Sequence, residues 1–164
     1  MKDSIFTKCF FLNLSNFRQL PSLVSLETLH LRNTQRSLTN MPNNLEGLTR
    51  LTDVDLSKNS FTKIPDGLFS VPSLKRLNMS DNQLKELTSA IDIWQKLEVL
   101  NLCRNELTTL PASLCKLSSL RRLLVNDNQL DFEGIPSGIG KLNLLQVFSA
   151  CNNRLEMIPE GLCR

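Results

Sequence analysis

Few residues in this chain have the type and spacing that catalysis or metal binding needs. His30 is the only histidine, and Asp53 and Asp55 form a pair of neighbouring carboxylates. Paired carboxylates outside a pocket are more often surface charge than acid–base groups. The sequence also contains no glycine-rich phosphate loop and no cluster of metal ligands at a characteristic spacing. We therefore predict that the chain is not an enzyme and that it uses no metal and no cofactor.

The leucines that would have to position these side chains recur at a nearly constant spacing, seen most clearly in residues 97–117, LEVLNLCRNELTTLPASLCKL. Their spacing fits neither a two-residue nor a 3.6-residue period throughout, but the pattern L-x-x-L-x-L-x-x-N-x-L returns along the chain. The six units begin at Leu26, Leu51, Leu74, Leu97, Leu120 and Leu145, at intervals of 25, 23, 23, 23 and 25 residues. Six copies of this pattern are typical of leucine-rich repeats.

The repeat predicts an α/β solenoid, a right-handed superhelix with a parallel β-sheet on its concave face and short helical or irregular convex segments. A strand of three or four residues alternates sides, so its leucines point inward and the residues between them point outward. We expect one domain of about six repeats at residues 17–164, truncated at its C terminus. An irregular segment is expected to precede it at residues 1–16.

An asparagine follows five of the predicted strands, where the chain turns and leaves backbone groups without partners in the sheet. Its amide can both donate to and accept from the backbone, so we expect stacked repeats to form an asparagine ladder. In the first repeat Thr34 stands at this position. The predicted ladder consists of Asn59, Asn82, Asn105, Asn128 and Asn153.

Composition and cysteines indicate an intracellular protein. Lysine and arginine number 19 against 16 acidic residues, and no apolar run approaches the roughly 20 residues that span a bilayer. Cys103 and Cys151 hold one repeat position two units apart, about 10 Å, which exceeds the roughly 7 Å reach of a disulfide. We expect reduced thiols and a cytoplasmic location, and no cysteine lies beside His30 in this register to form a thiol–imidazole pair.

The outward side of the sheet is the broad surface on which a partner could dock. We predict that it binds a protein, because it lacks the aromatic rings and the excess of basic residues that a nucleic acid reader would need. Val99, Leu124 and Val147 add outward apolar positions beside arginines, and the same register places Ser57, Ser80 and Cys103 outward. The predicted partner-binding residues are His30, Arg32, Asp53, Asp55, Arg76, Arg104 and Arg122.

Two repeats carry two additional residues between the strand and the following proline, at residues 34–42 and 128–136. These additions are expected to form loops that project from one rim of the solenoid, next to the predicted binding surface. Loops of this kind either contribute to binding or absorb insertions without functional effect.

The amino-acid sequence between the leucines resembles the later leucine-rich repeats of Flightless homologues. The resemblance runs from about Phe17 to Arg164 and includes Thr34, Gln35 and Arg36, which the generic repeat does not dictate. The segments that carry it are TLHLRNTQR (28–36), NLEGL (44–48), DVDLS (53–57), PSLKRLN (72–78), LDFEGIPSGIGKL (130–142) and IPEGLCR (158–164).

The resemblance implies a protein–protein interaction module of a Flightless-like regulator of actin cytoskeleton organisation and signalling. Its implied partners are a Ras-like GTPase or a coiled-coil protein, and an additional nuclear or cytoskeleton-associated location is implied. Actin would be reached only indirectly, through gelsolin-like segments that are absent from this sequence. Two alternatives remain: structural spacer repeats of a larger scaffold, or a Ras-binding leucine-rich protein unrelated to actin. Neither nucleic acid nor membrane is expected as a partner.

Overall fold

A computed structural model describes residues 20–157 and residue 162 of the chain. Within this range six parallel strands form one sheet in which every strand pairs with its neighbours in sequence. The predicted parallel sheet is therefore confirmed. The irregular segment predicted at residues 1–16, with Cys9, lies outside the described residues. Outside them also lie residues 17–19, 158–161 and 163–164 of the predicted domain, which include Cys163. The strands are β1 (Thr28–His30), β2 (Asp53–Asp55), β3 (Arg76–Asn78), β4 (Val99–Asn101), β5 (Arg122–Leu124) and β6 (Val147–Ser149).

The strands stack in strict register because each repeat presents one central apolar residue to a shared interior. Leu77 of β3 lies opposite Val54 on one side and Leu100 on the other. Backbone pairing continues beyond the three-residue strands, since the amide of Leu31 donates to the carbonyl of Asp55 at 2.7 Å and that of Leu56 to Asn78 at 2.8 Å. A strand too short to be stable alone is thus held by both neighbours.

The convex side consists of short 3₁₀ turns, which matches the helical or irregular segments predicted there. Pro111 immediately precedes one of these turns with φ −69°, the angle that its ring imposes. The third repeat has Thr88 at this place, and its side chain accepts a hydrogen bond from the amide of Ala90 at 3.3 Å. These turns span Leu20–Ser22, Asp66–Ser70, Ser89–Ile93, Ala112–Lys116 and Ser137–Lys141, and two further 3₁₀ turns, Leu38–Asn40 and Phe132–Gly134, lie in the inserted loops.

The two inserted loops each form an additional short turn between the strand and the convex segment. In Leu38–Asn40, the side chain of Asn40 accepts a hydrogen bond from the amide of Ser37 at 3.0 Å. In Phe132–Gly134, Asp131 caps the turn by accepting from the amide of Glu133 at 3.1 Å. The insertions are therefore ordered by their own polar side chains and leave the register of the strands unchanged.

The interior is one continuous aliphatic cluster in which Trp94 is the largest fully buried side chain. Its indole nitrogen donates to the carbonyl of Leu68 at 3.2 Å, and its ring stacks on Phe69 with centroids 4.9 Å apart. Other repeats place an aliphatic residue here, such as Val71 or Leu117, and bury it as completely. Trp94 can replace them because its single polar atom finds a carbonyl in the preceding repeat.

One position in every repeat adopts a left-handed backbone conformation without glycine. Lys58 and Arg104, for example, have φ of 56° and 54°. This conformation turns the chain out of the sheet while keeping its amide in the ladder, because Lys58 donates to the carbonyl of Ser80 at 3.0 Å. The position is occupied by Asn33, Lys58, Asp81, Arg104, Asp127 and Asn152.

Candidate protein-binding surface

Asparagine side chains connect successive repeats at the edge of the sheet next to the outward face. The amide nitrogen of Asn105 donates to the carbonyls of Met79 and Leu102, both at 3.0 Å, and its oxygen accepts from the amide of Leu84 at 3.0 Å. Each asparagine therefore satisfies backbone groups of its own repeat and of the preceding one. The same arrangement occurs at Asn59, Asn82, Asn128 and Asn153.

Thr34 makes some of these backbone hydrogen bonds in the first repeat, which has no asparagine at this position. Its hydroxyl donates to the carbonyl of Leu31 at 2.7 Å, and its amide donates to the side-chain oxygen of Asn59 at 3.1 Å. A hydroxyl has fewer donors than an amide group, so the first repeat is joined by Asn59 of the second rather than by its own side chain.

The register of the strands arranges the outward side chains in two rows across the sheet. The first row lies at the start of the strands, and from β3 to β6 its arginines alternate with valines. The second row is mainly polar. The first row is Thr28, Asp53, Arg76, Val99, Arg122 and Val147. The second row is His30, Asp55, Asn78, Asn101, Leu124 and Ser149.

Residues of both rows, from β1 to β5, line a shallow depression of about 300 Å³ on this outward face, whereas Thr28 and the two β6 residues lie outside it. Five of the seven residues predicted to bind a partner contribute to its lining, together with aliphatic groups of Val99 and Leu124. Arg32 and Arg104 lie outside the depression, beyond the ends of their strands. The five lining residues are His30, Asp53, Asp55, Arg76 and Arg122.

Two of the predicted binding arginines form ion pairs with neighbouring repeats. Arg76 on β3 pairs with Asp53 on β2. Arg104 pairs with Asp81, with its Nη2 atom 2.9 Å from the carboxylate, and this hydrogen bond lowers the pKa of Asp81. Because these charges are compensated within the protein, Arg76 and Arg104 are less available to a partner than sequence position alone suggests.

Asp55 has a local role that the sequence reasoning missed. Its carboxylate accepts a hydrogen bond from the amide of Ser57 at 2.9 Å, which closes the turn at the end of β2. Asn78 and Asn101 accept in the same way, at 3.1 Å, from the amides two residues further on. The signal is present in the sequence as Asp or Asn directly after the central strand residue, a residue type that favours such turns.

The prediction that Ser57, Ser80 and Cys103 point outward is wrong, because all three are buried. Strand alternation holds as far as the buried Leu56. At the next residue the side chain of Asp55 bonds the backbone amide, so alternation no longer determines which way that side chain points. Burial raises the pKa of the Cys103 thiol, which keeps it in the uncharged form. Cys151, two repeats further on, is exposed, and the described cysteines Cys103, Cys115 and Cys151 are unpaired thiols.

Among residues 20–157, no group of three histidine, cysteine, aspartate or glutamate side chains is placed to hold a metal ion. No helix in this part of the chain is both long enough and apolar enough to cross a membrane.

Repeated parallel strands, inward leucines and an asparagine after five of the six strands define a leucine-rich repeat protein. A sequence model described as leucine rich repeat matches residues 49–92 and 88–130, and the chain belongs to this family. The LRR ectodomain of the plant membrane receptor kinase GASSHO1/SCHENGEN3 from Arabidopsis thaliana has a similar structure. Its TM-score is 0.73 at 29% identity, over 88% of this chain and 18% of that one.

Within the family the chain is similar to flightless-1, as the resemblance in the sequence indicated. It is 61% identical over 144 residues to protein flightless-1 of Drosophila melanogaster, which covers 88% of this chain. It is 52% identical over 147 residues to the flightless-1 homolog of Caenorhabditis elegans, which covers 90%. The chain spans 12% of the length of each of these relatives.

Proposed function

We propose that the chain is a protein-interaction module that binds its partner through the outward face of the sheet. The observation that carries this proposal is the depression that brings together His30, Asp53, Asp55, Arg76 and Arg122 from four different strands. A continuous row of strands provides a broad rigid surface, and rigid side-chain positions lower the entropy that binding costs.

The distribution of groups in the depression also fits a protein partner. Acidic groups near β2 and Arg122 on β5 give opposite charges at its two ends, while Val99 and Leu124 lie between and beside them. Mixed charge around aliphatic groups is the usual composition of a protein interface, whereas the lining balances Asp53 and Asp55 against Arg76 and Arg122 and so lacks the excess of positive charge that a polyanion needs.

The similarity to flightless-1 supports a finer assignment. We propose that the module belongs to a Flightless-like regulator of actin cytoskeleton organisation and signalling, with a Ras-like GTPase or a coiled-coil protein as its partner. Contact with actin would be indirect, and the location would be cytoplasmic, with nuclear and cytoskeleton-associated pools. These statements concern the whole protein, of which this chain corresponds to a small part.

Affinity capture from cytosol tests the binding face. The native chain and a double variant, Asp55→Lys with Arg122→Glu, are immobilised, and proteins retained by each are compared by mass spectrometry. A purified Ras-like GTPase and a purified coiled-coil protein are then tested individually by surface plasmon resonance. We expect the double variant to bind at least about tenfold more weakly, a free-energy loss of about 1.4 kcal/mol, with an unchanged circular dichroism spectrum.

Two further variants separate binding from folding. Asp55→Asn removes the charge but keeps the hydrogen bond to Ser57, because Asn78 and Asn101 make that bond in neighbouring repeats. Lys141→Glu reverses an exposed charge on the convex side and should leave binding unchanged. Equal binding by the native chain and the double variant would show that the outward face is not the binding surface.

The spacer alternative is supported by the two ion pairs, because Asp53 with Arg76 and Asp81 with Arg104 are what a solvated face would contain. A spacer tolerates charge reversal on the outward face and loses function only when repeats are removed. A truncation series measured beside the charge variants therefore distinguishes the two functions.

A further inference from the structure

Arg122 differs from Arg76, the other arginine of the depression, because no ion pair compensates it within residues 20–157. Asp53 pairs with Arg76, and one oxygen of Asp55 accepts the amide hydrogen of Ser57. Arg122 is exposed, and no acidic side chain among the described residues lies within ion-pair distance of it. Its guanidinium is therefore available to an external group.

The neighbours of Arg122 in the sheet are aliphatic. Val99 on β4 and Val147 on β6 are its register partners on the two sides, and Leu124 is the next outward residue on its own strand. Val147 is 37% exposed, and Val99 and Leu124 are half-buried. A partner that covers these groups would exclude water from around the guanidinium and so strengthen its attraction to a negative group.

Building on the proposed binding face, we propose that Arg122 recognises a carboxylate of the partner protein, in a segment where aliphatic side chains flank that carboxylate. The planar guanidinium offers paired donors that fit the two oxygens of a carboxylate. The flanking side chains would cover Val99, Leu124 and Val147, which a bare anion would leave in water. Asp55 in the same depression has no ion pair among the described residues, so it disfavours an extended polyanion and favours a segment with a single acidic group.

Arg121 provides a matched control within the chain. It is the preceding residue, carries the same group and is also exposed, but it does not line the depression. Its equivalents in the neighbouring repeats are Glu98 and Gln146, to which its backbone is hydrogen-bonded. Arg121 therefore carries the same charge but does not have aliphatic residues as its register partners.

A phage-displayed library of random 12-residue peptides provides a defined probe. It is selected separately on the native chain, on Arg122→Glu and on Arg121→Glu. We expect the native chain and Arg121→Glu to enrich peptides with Asp or Glu between aliphatic residues. Arg122→Glu should enrich Lys or Arg at the same place instead.

One selected acidic peptide is then labelled and measured by fluorescence polarisation. We expect binding to weaken at least tenfold in Arg122→Glu and to change less than twofold in Arg121→Glu. An acidic preference that persists in Arg122→Glu, or that is lost equally in Arg121→Glu, would overturn the inference, since general electrostatics would then explain binding.

A further variant distinguishes failure of the proposed binding face from failure of the carboxylate assignment. Val99→Gln removes an aliphatic group from the face and adds no charge beside Arg122. If Val99→Gln weakens binding at least tenfold while Arg122→Glu leaves the acidic preference intact, the binding face stands and the carboxylate assignment is wrong. If neither variant affects the selected peptides, or if no peptide is enriched, both proposals are wrong.

Discussion

At the scale of the residue, asparagine is the side chain on which the stacking of repeats depends most directly. Asn105 is buried with only 8% of its surface exposed, yet its amide nitrogen and oxygen both bond the backbone, in its own repeat and in the preceding one. No other uncharged side chain of this size offers both a donor pair and an acceptor. Replacing it leaves buried backbone groups without partners, which is costlier than the loss of an exposed contact.

Asn105→Ala is expected to lower the free energy of unfolding by about 3 kcal/mol. The substitution leaves buried carbonyl and amide groups without hydrogen-bond partners, and each such group costs about 1–3 kcal/mol. Urea unfolding followed by circular dichroism measures the change. Asn143→Ala, at an exposed position on the convex side, serves as the control and should stay within about 0.5 kcal/mol of the native chain. Similar losses in both variants would argue against the ladder.

Asp81 should contribute to a small part of the pH dependence of stability. Its pKa is lowered from 3.8 mainly by its hydrogen bond with Arg104, so the folded protein binds this proton less readily than the unfolded chain. The contribution is therefore present above pH 3.8 and is lost as the pH falls through the lowered pKa. Because both side chains are partly exposed, we expect less than about 1 kcal/mol.

The test compares the unfolding free energies of the native chain and Asp81→Asn from neutral to acidic pH. The difference between them should shrink on acidification and also in high salt, because salt screens the pair. A difference that is constant with pH would show that the charge of Asp81 does not stabilise the fold.

At the scale of the element, the convex turns must pack closely because the repeats above and below them are only one strand spacing apart. Gly67 is the second residue of the turn Asp66–Ser70 and lies next to the carbonyl of Pro42, so a Cβ atom there would be 2.3 Å from that oxygen. At the equivalent place in a later repeat, a Cβ on Gly138 would meet the thiol of Cys115 at 3.3 Å. The backbone of Pro42 cannot move aside, whereas the side chain of Cys115 can. A Cβ atom is therefore tolerated less well at Gly67 than at Gly138.

Gly67→Ala is therefore expected to destabilise the protein by about 1–3 kcal/mol, the usual cost of overpacking. Gly138→Ala should cost less, because the structure already holds Ala90 at the equivalent position of the third repeat. Thermal unfolding of the two variants, measured side by side, gives the comparison. If Gly138→Ala is as destabilising as Gly67→Ala, the close approach to Pro42 is not what requires glycine.

At the scale of the whole molecule, the fold is a one-dimensional stack whose stability depends on the contacts between neighbours. The central repeats bury their leucines completely, as Leu97, Leu100 and Leu102 show. In the repeat that contains β6, Leu145 and Phe148 are only partly buried. The outward face extends over both regions, so the binding surface is supported more firmly at β4 than at β6.

Amide hydrogen exchange should follow this gradient. We expect the amides of β4 to exchange more slowly than those of β6, because opening β4 exposes fully buried leucines whereas opening β6 exposes groups already half in water. Exchange of the intact chain, followed by mass spectrometry of peptides covering the two strands, measures the difference. Equal protection in both strands would show that the stack unfolds as one unit.

The repeat length, the inward leucines, the parallel sheet and the family follow from the sequence, because a periodic pattern of apolar residues admits one way of burying them all. Sequence periodicity also places Asp53, Asp55, Arg76 and Arg122 on the outward face. Tertiary structure alone decided which of these charges remain available: Arg76 is paired across the sheet, Asp55 also closes a turn, and Arg122 lies between two valines. It also showed that Cys103 is buried, since strand alternation ends after Leu102, where the side chain of Asn101 bonds the amide of Cys103. Repetition determines where each side chain is placed, but its neighbours come from other repeats, and only folding brings them together.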